Sequence, residues 1–177
     1  MTEGNIIIIN KNTANISTKK GMKQYNLKKL GIKHDSFQIL YDKGYLIQKK
    51  IAKTLQGHVY LGYNLNTKQK IVIKITSKLL HKNGISNYKK GTTFKVHENI
   101  VKEAQLMKYL GSKKPVKGFI KCIEFFNDDG FYYLIMNYGG ESFFEYIKHQ
   151  THKIQCKSLK GKIWIGIVKK LFKQIVL

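Results

Sequence analysis

The sequence lacks the residues that mark several protein classes. Its 177 residues include no arginine, one proline and two cysteines, Cys122 and Cys156. Two cysteines are too few for a disulfide framework, and they do not have metal-ligand spacing. No apolar run approaches the roughly 18 residues that cross a bilayer, and the N-terminus has no basic-then-apolar secretory signal. We therefore expect no membrane span and a reducing, intracellular location such as the cytoplasm.

Acidic residues are scarce. The chain has 10 of them against 33 basic residues, all lysine, and its net charge is +23. Such a charge is typical of nucleic-acid-binding proteins. However, bidentate reading of bases and phosphates depends on arginine, and these lysines are spread along the whole chain. We interpret the charge as a solvated basic surface and expect no dedicated nucleic-acid binding.

The residues that are present favour a folded protein. Hydrophobic residues make up 42% of the chain, with 11 Tyr, 9 Phe and one Trp. Residues 1–44 are rich in Lys, Asn, Thr and Ser, and we predict a basic, disordered extension there. Within it, Ile6–Ile9 could add to a sheet edge, cover the Ile71/Ile73/Ile75 face of a strand, or belong to a floppy tail, which we favour.

Turn residues separate β-branched and aromatic segments in the rest of the chain. They predict antiparallel strands at residues 45–52, 58–65, 70–76, 119–126 and 131–138. The turn at 127–130 ends in Asp-Gly, a strong hairpin signal. Residues 77–96 form a long connection that is either a functional insertion or holds a short helix near 77–81.

Three-and-four spacing predicts a helix at residues 97–110. Its apolar stripe holds Ile100, Ala104 and Met107 but also Glu103, a carboxylate that needs a partner if it is buried. In the strand at 70–76, Lys74 and Val72 share the face opposite to the three isoleucines. We therefore predict an ion pair between Lys74 and Glu103.

Four short motifs follow one another along the chain. Ala52, Thr54 and Gly57 fall on the glycine positions of G-x-G-x-x-G-x-V, and Val59 falls on its valine. Residues 71–74 match V-A-I-K, Glu103 matches the glutamate of the helix that follows, and residues 134–138 match a hinge strand with a gatekeeper. From about residue 45 to 177 the chain resembles the N-terminal part of a eukaryotic-type protein kinase domain. The resemblance implies an α+β fold, with a small lobe of five antiparallel strands plus one helix, followed by helices of an incomplete large lobe.

The resemblance also implies an ATP site. Its residues would be Ile51, Ala52, Thr54, Gly57, Val59, Val72, Lys74, Glu103, Met136, Asn137 and Tyr138. Lys74 would hold the α- and β-phosphates with Glu103 positioning its ammonium. Ile51, Val59 and Val72 would line the adenine slot, or serve only as strand core. Gly57 would let the loop backbone approach phosphate, Met136 would be the gatekeeper, and the Asn137 and Tyr138 backbones would contact adenine. Ala52 and Thr54 in place of glycine predict a stiffer loop.

Domain organisation follows from the same resemblance. The small lobe would be residues 45–138, the hinge 139–140 and the partial large lobe 141–177, ending in an amphipathic helix at 163–177. The implied function is ATP-dependent phosphoryl transfer to a protein hydroxyl, of the Ser/Thr type, with the sequence ending before the catalytic loop. We assign no catalytic residue and no metal ligand, so we expect the chain alone to be inactive and Mg²⁺ to bind only with a complete large lobe. The alternative is a non-catalytic, pseudokinase-like module that binds nucleotide or a protein partner.

Overall fold

The computed structural model describes most of the first 141 residues and little beyond them. The described residues are 6–10, 12–18, 21–82, 85–87, 95–96, 99–112, 119–141, 145–146 and 148–149. The chain divides into two compact units, residues 1–138 and 139–177. The first unit is mixed α/β, with a small open antiparallel sheet and few helices among its described residues.

The strands and helices are short. The strands are β1 (Ile6–Asn10), β2 (Thr13–Thr18), β3 (Gly21–Asn26), β4 (Tyr45–Lys53), β5 (Gly57–Asn64), β6 (Lys70–Ser77), β7 (His81–Lys82), β8 (Ile85–Asn87), β9 (Lys95–Val96), β10 (Cys122–Asn127) and β11 (Phe131–Asn137). The helices are α1 (Leu27–Leu30), α2 (His34–Asp42) and α3 (Ile100–Ser112), with a 3-10 turn at Lys78–Leu80.

Five of these strands form the main sheet, in the order β10-β11-β6-β5-β4, with every pair antiparallel. The prediction of a five-stranded antiparallel sheet and of its segments is therefore confirmed, to within a few residues at the strand ends. β6 is the central strand, with β11 on one side and β5 on the other, and its β-branched run suits a strand that packs on a core. Ile71, Ile73 and Ile75 are all buried.

The sheet separates two apolar clusters. The larger one lies on the isoleucine face of β6 and includes Tyr60, Tyr133 and Ile135 from neighbouring strands. The smaller one consists of Ile100 and Ala104 from α3 with Leu134 from β11. Because α3 presents only this narrow stripe, the second face of the sheet is less completely covered than the first.

The prediction of a disordered extension at residues 1–44 is wrong for the described part of that segment. β1, β2 and β3 form an antiparallel sheet of their own, and α1 and α2 follow. Tyr25, Leu27, Phe37 and Leu40 are buried in the same cluster as the β6 isoleucines. The apolar residues in this polar segment are few, but the isoleucine face of the main sheet supplies the surface against which they pack.

Hydrogen bonds connect the N-terminal segment to the main sheet. The Tyr60 hydroxyl donates to the Gly31 carbonyl at 3.1 Å. The Tyr133 hydroxyl is hydrogen-bonded to the Ser36 hydroxyl at 2.7 Å and donates to the Asp128 carboxylate. Burial, with the Asp128 interaction next, raises the pKa of Tyr133, so this hydroxyl keeps its proton. The segment is thus part of the core of the first unit.

A further polar cluster bridges the two edge strands of the main sheet. Glu124 on β10 accepts hydrogen bonds from the Tyr45 hydroxyl at 2.7 Å and from Lys43 Nζ at 2.6 Å. Tyr45 belongs to β4, the opposite edge strand. Side chains of this length can meet only if the sheet is strongly curled toward its isoleucine face, as the natural twist of sheets permits.

The remaining predictions concern the connection and the C-terminal unit. Within residues 77–96 the structure has the 3-10 turn and a three-stranded sheet of β7, β8 and β9. In the second unit, Glu141 is paired with His149 at 2.6 Å, and helical backbone is described at 145–146 and 148–149. The predicted helix at 163–177 lies outside the described residues.

Candidate nucleotide-binding face

Lys74 and Glu103 form the predicted ion pair. The distance between Lys74 Nζ and Glu103 Oε2 is 2.8 Å. The Lys74 side chain is 17% exposed and that of Glu103 is 40% exposed, so the carboxylate is not buried as its apolar stripe suggested. Because water reaches the carboxylate, we expect the pair to contribute only about 0–1 kcal/mol to stability. Stability alone is therefore a weak reason for placing these two charges together.

The position of Glu103 depends on how α3 begins. The Asn99 side chain accepts hydrogen bonds from the backbone N–H groups of Val101 at 3.0 Å and Lys102 at 3.1 Å. Asn99 is therefore the N-cap, and α3 begins at Ile100 rather than at residue 97 as predicted. Glu103 then lies in the first turn, where the helix dipole favours a carboxylate. The sequence does contain a signal for this cap, because an asparagine stands directly before residues with the helical spacing of apolar side chains.

Strand register brings the predicted residues onto one face. Val59 is directly opposite Lys74 and also opposite Ala52, so the three form a row across β4, β5 and β6. Val72 is opposite Met136 on β11. Directly opposed residues share a face, and alternation along β6 puts Val72 on the same face as Lys74. The result is an apolar surface beside the Lys74 ammonium group and its carboxylate partner.

Ile51 is not part of this row. The register of β4 and β5 shifts between Lys50 and Ala52, which makes Ile51 the extra residue of a bulge. Its side chain is 46% exposed. The structure therefore does not bring Ile51 together with Val59 and Val72.

Gly57 has a structural explanation independent of any ligand. A Cβ at this position would lie 1.9 Å from the Ile75 carbonyl oxygen, so no other residue fits without a shift of the strands. The backbone N–H of Thr54 donates to the Gly57 carbonyl at 3.0 Å and closes the turn. The Thr54 hydroxyl is buried and has no hydrogen-bond partner among the described residues. The one glycine that remains in the loop is thus required for contact with β6.

The predicted hinge strand is only partly suited to contact a base. Met136 is half-buried on the Lys74 face, next to the α3 cluster. The backbone N–H of Asn137 donates to the Lys121 carbonyl at 3.1 Å, so this donor is not available to adenine. The Tyr138 ring is exposed, with Lys70 Nζ 5.9 Å from its centroid, a contact that the sequence did not indicate.

The described residues of this face include no metal centre. In the described part of the chain, no group of three or more His, Cys, Asp or Glu residues is arranged to hold a metal ion. None of the helices described has the length and hydrophobicity that crossing a bilayer requires.

Comparison with models of known protein families gives no match, and comparison with curated proteins gives none either. A function of the first unit must therefore be inferred from the residues of this face.

Proposed function

We propose that the first unit is the nucleotide-binding small lobe of a protein kinase domain. The observation that carries the proposal is the ion pair between Lys74 and Glu103 at 2.8 Å, made between the third strand of the main sheet in chain order and the helix that follows it. Protein kinases carry the phosphate-binding lysine on their third strand and pair it with a glutamate of the next helix.

The surroundings of the pair support ATP as the ligand. Val59, Val72 and Met136 provide an apolar surface for a base on the same face as the ammonium. Lys74 would contact the α- and β-phosphates, and Glu103 would hold its ammonium in position. The proposal assigns nucleotide binding to these residues. It assigns phosphoryl transfer to a protein hydroxyl, with Mg²⁺, to a complete domain of which this sequence resembles the N-terminal part.

A non-catalytic module is the second candidate. The observation that favours it is the loop, where Ala52 and Thr54 stand at glycine positions and Gly57 is explained by the Ile75 carbonyl alone. Such a module would use the same face to bind nucleotide weakly, or would bind a protein partner instead. The two candidates differ in the affinity expected for ATP.

Thermal unfolding with and without Mg-ATP tests the proposal. At one hundred times the dissociation constant, a ligand stabilises the folded state by about 2.7 kcal/mol, so the parent protein should unfold at a higher temperature. Glu103→Gln keeps the shape of the side chain but removes the charge that positions Lys74, and the shift should shrink. Asp129→Asn, an equivalent change on the exposed turn between β10 and β11, is the matched control and should leave the shift unchanged.

Three results would decide between the candidates. A shift that shrinks in Glu103→Gln but not in Asp129→Asn supports the nucleotide-binding lobe. An equal shift in all three proteins would make Glu103 a structural carboxylate only. The absence of any shift in the parent would favour the partner-binding module.

A further inference from the structure

Residues 27–32, which are α1 and the two residues after it, pack on the isoleucine face of the β4–β5 hairpin. Gly31 ends α1 with a φ of +69°, a conformation that glycine adopts readily. A Cβ at this glycine would lie 3.3 Å from Lys50 Nζ on β4 and 3.5 Å from His58 Nε2 on β5. Both strands of the hairpin therefore contact the same residue of the 27–32 segment.

A hydrogen bond fixes this contact. The Tyr60 hydroxyl of β5 donates to the Gly31 carbonyl at 3.1 Å. Burial raises the pKa of Tyr60 to about 12, so the hydroxyl keeps its proton. Leu27 and Ile32, which precede and follow Gly31 in the chain, are buried in the cluster that contains Tyr60. The segment is thus attached to β5 by one directed bond in an apolar environment.

The ladder between β4 and β5 is interrupted beside this contact. β4 is an edge strand, and its register with β5 shifts at two places, the second of them between Lys50 and Ala52. A bulge of this kind disrupts the ladder of backbone hydrogen bonds locally. Lys50 is also the β4 residue that lies beside Gly31. The 27–32 segment therefore supports the hairpin where its own hydrogen bonds hold it least.

The same hairpin forms part of the nucleotide-binding face. Tyr60 is opposite Ile73 and its neighbour Val59 is opposite Lys74, so the two side chains lie on opposite faces of β5. One strand thus contacts the 27–32 segment on one face and carries the apolar surface for a base on the other. A displacement of β5 would move Val59 relative to Lys74.

We propose that the 27–32 segment positions the β4–β5 hairpin for nucleotide binding, with Tyr60 as the positioning residue, so that the affinity for Mg-ATP depends on how the segment is docked. This inference rests on the proposed function of the Lys74 face. Coupling between two sites is reciprocal, so bound nucleotide should also favour docking of the segment. The N-terminal part of the chain would then regulate the site as well as complete the core.

Tyr60→Phe tests the coupling, because it removes the hydroxyl and keeps the buried ring. The dissociation constant of Mg-ATP, measured by calorimetry, should rise about threefold to tenfold, since the coupling cannot exceed the free energy of the hydrogen bond that is lost. Tyr133→Phe is the matched control. Its hydroxyl is bonded to Ser36 of α2 in the same cluster and not to the 27–32 segment, so the dissociation constant should not change.

Gly31→Ala disturbs the same contact from the other side. The added methyl group would press on Lys50 and His58 and should also weaken binding of Mg-ATP. Gly21→Ala is its control, since Gly21 has a φ of +107° but no atom lies within 4 Å of its Cβ position. Urea unfolding of each variant without nucleotide checks that the fold is retained.

Amide hydrogen exchange gives a readout that a merely structural role would not move. The N–H groups of Gly31 and Ile32 are bonded to carbonyls of α1, so their exchange reports on the 27–32 segment. Saturating Mg-ATP should slow exchange at these two amides more than at the Lys43 amide, which is bonded at the end of α2. Equal slowing at all three amides would reflect general stabilisation by the ligand and would count against the coupling.

The binding data separate this inference from the proposed function. A dissociation constant that rises in Tyr60→Phe but not in Tyr133→Phe supports the inference. Equal constants in the parent and in Tyr60→Phe overturn it and leave the proposed function standing. An equal rise in both variants also overturns it, because reduced stability of the shared cluster would explain the result. If the parent does not bind Mg-ATP, the proposed function and this inference fail together.

Discussion

The two faces of the main sheet differ in how they are covered. On the isoleucine face of β6, residues from α1, α2 and the N-terminal sheet close a cluster in which Phe37 and Leu40 are fully buried. On the Lys74 face, α3 covers one part and leaves an ion pair partly open to solvent. A sheet needs one well-packed face for stability. The other face can then carry charged groups that a ligand reaches, at little cost to the fold.

The largest effect should come from the closed face. We expect Phe37→Ala to lower the free energy of unfolding by about 3–5 kcal/mol, because it removes a buried ring from the centre of the larger cluster. Leu106→Ala on the exposed side of α3, where the side chain is 57% exposed, should change it by no more than about 0.5 kcal/mol. Urea unfolding measures both. Equal effects would show that the N-terminal segment is not part of the core.

The next effect concerns the turn that joins β4 and β5. Gly57→Ala places a methyl group against the Ile75 carbonyl, and we expect a loss of about 1–3 kcal/mol or more from the strand shift it forces. Gly111→Ala is the matched control: it lies within α3 with nothing near its Cβ position, and should stabilise by about 0.5–1 kcal/mol. If Gly57→Ala leaves the free energy of unfolding in urea unchanged, the close contact with the Ile75 carbonyl is not the reason that glycine occupies this position.

Low pH should lower the free energy of unfolding, because Glu124 beside the isoleucine face becomes protonated. Burial opposes ionisation of this carboxyl, but hydrogen bonds from Lys43 and Tyr45 and the charges of Lys43 and Lys108 outweigh burial and lower its pKa. The folded pKa is therefore below the ordinary value of 4.5, so the contribution is complete above that pH and is lost as the pH falls through the folded pKa. Glu124→Gln should cost about 1 kcal/mol at pH 7 and should flatten the pH dependence of stability below pH 4.5. If the free energy of unfolding falls in the same way with pH in the parent and in Glu124→Gln, Glu124 is not the source of the acid sensitivity.

The smallest effect on stability should come from the open face. Lys74→Met should change the free energy of unfolding by less than about 1 kcal/mol, because its partner carboxylate is 40% exposed and can be hydrated once the lysine is gone. The same variant should abolish stabilisation by Mg-ATP if the proposed function holds. Thermal unfolding in both conditions measures the two quantities together. A large loss of stability without ligand would instead make the Lys74–Glu103 pair part of the structural core.

The sequence was informative where local pattern and tertiary structure agree. The alternation in residues 70–76 and the Asp129-Gly130 turn predicted strands and a hairpin that the structure contains. The Lys74–Glu103 pair was predictable because both residues break an otherwise apolar pattern. The packing of residues 21–44 was not predictable from composition, since Phe37 and Leu40 gain their burial from strands that lie far away in the chain. The Ile51 bulge and the contact of Gly57 with Ile75 depend on inter-strand register, which single-strand patterns do not contain.

The hydrogen bond between Ser36 and Tyr133 has a consequence for biosynthesis. The two residues are 97 positions apart, and Tyr45 and Glu124 are 79 apart. As the chain leaves the ribosome, the N-terminal segment is made first but cannot complete its packing until β10 and β11 have followed. Contacts of such long sequence separation also slow folding, because distant parts of the chain must meet before they are stabilised. We expect Phe37 and Leu40 to stay exposed until β10 and β11 have left the ribosome, which makes the nascent chain a substrate for chaperones that bind apolar segments.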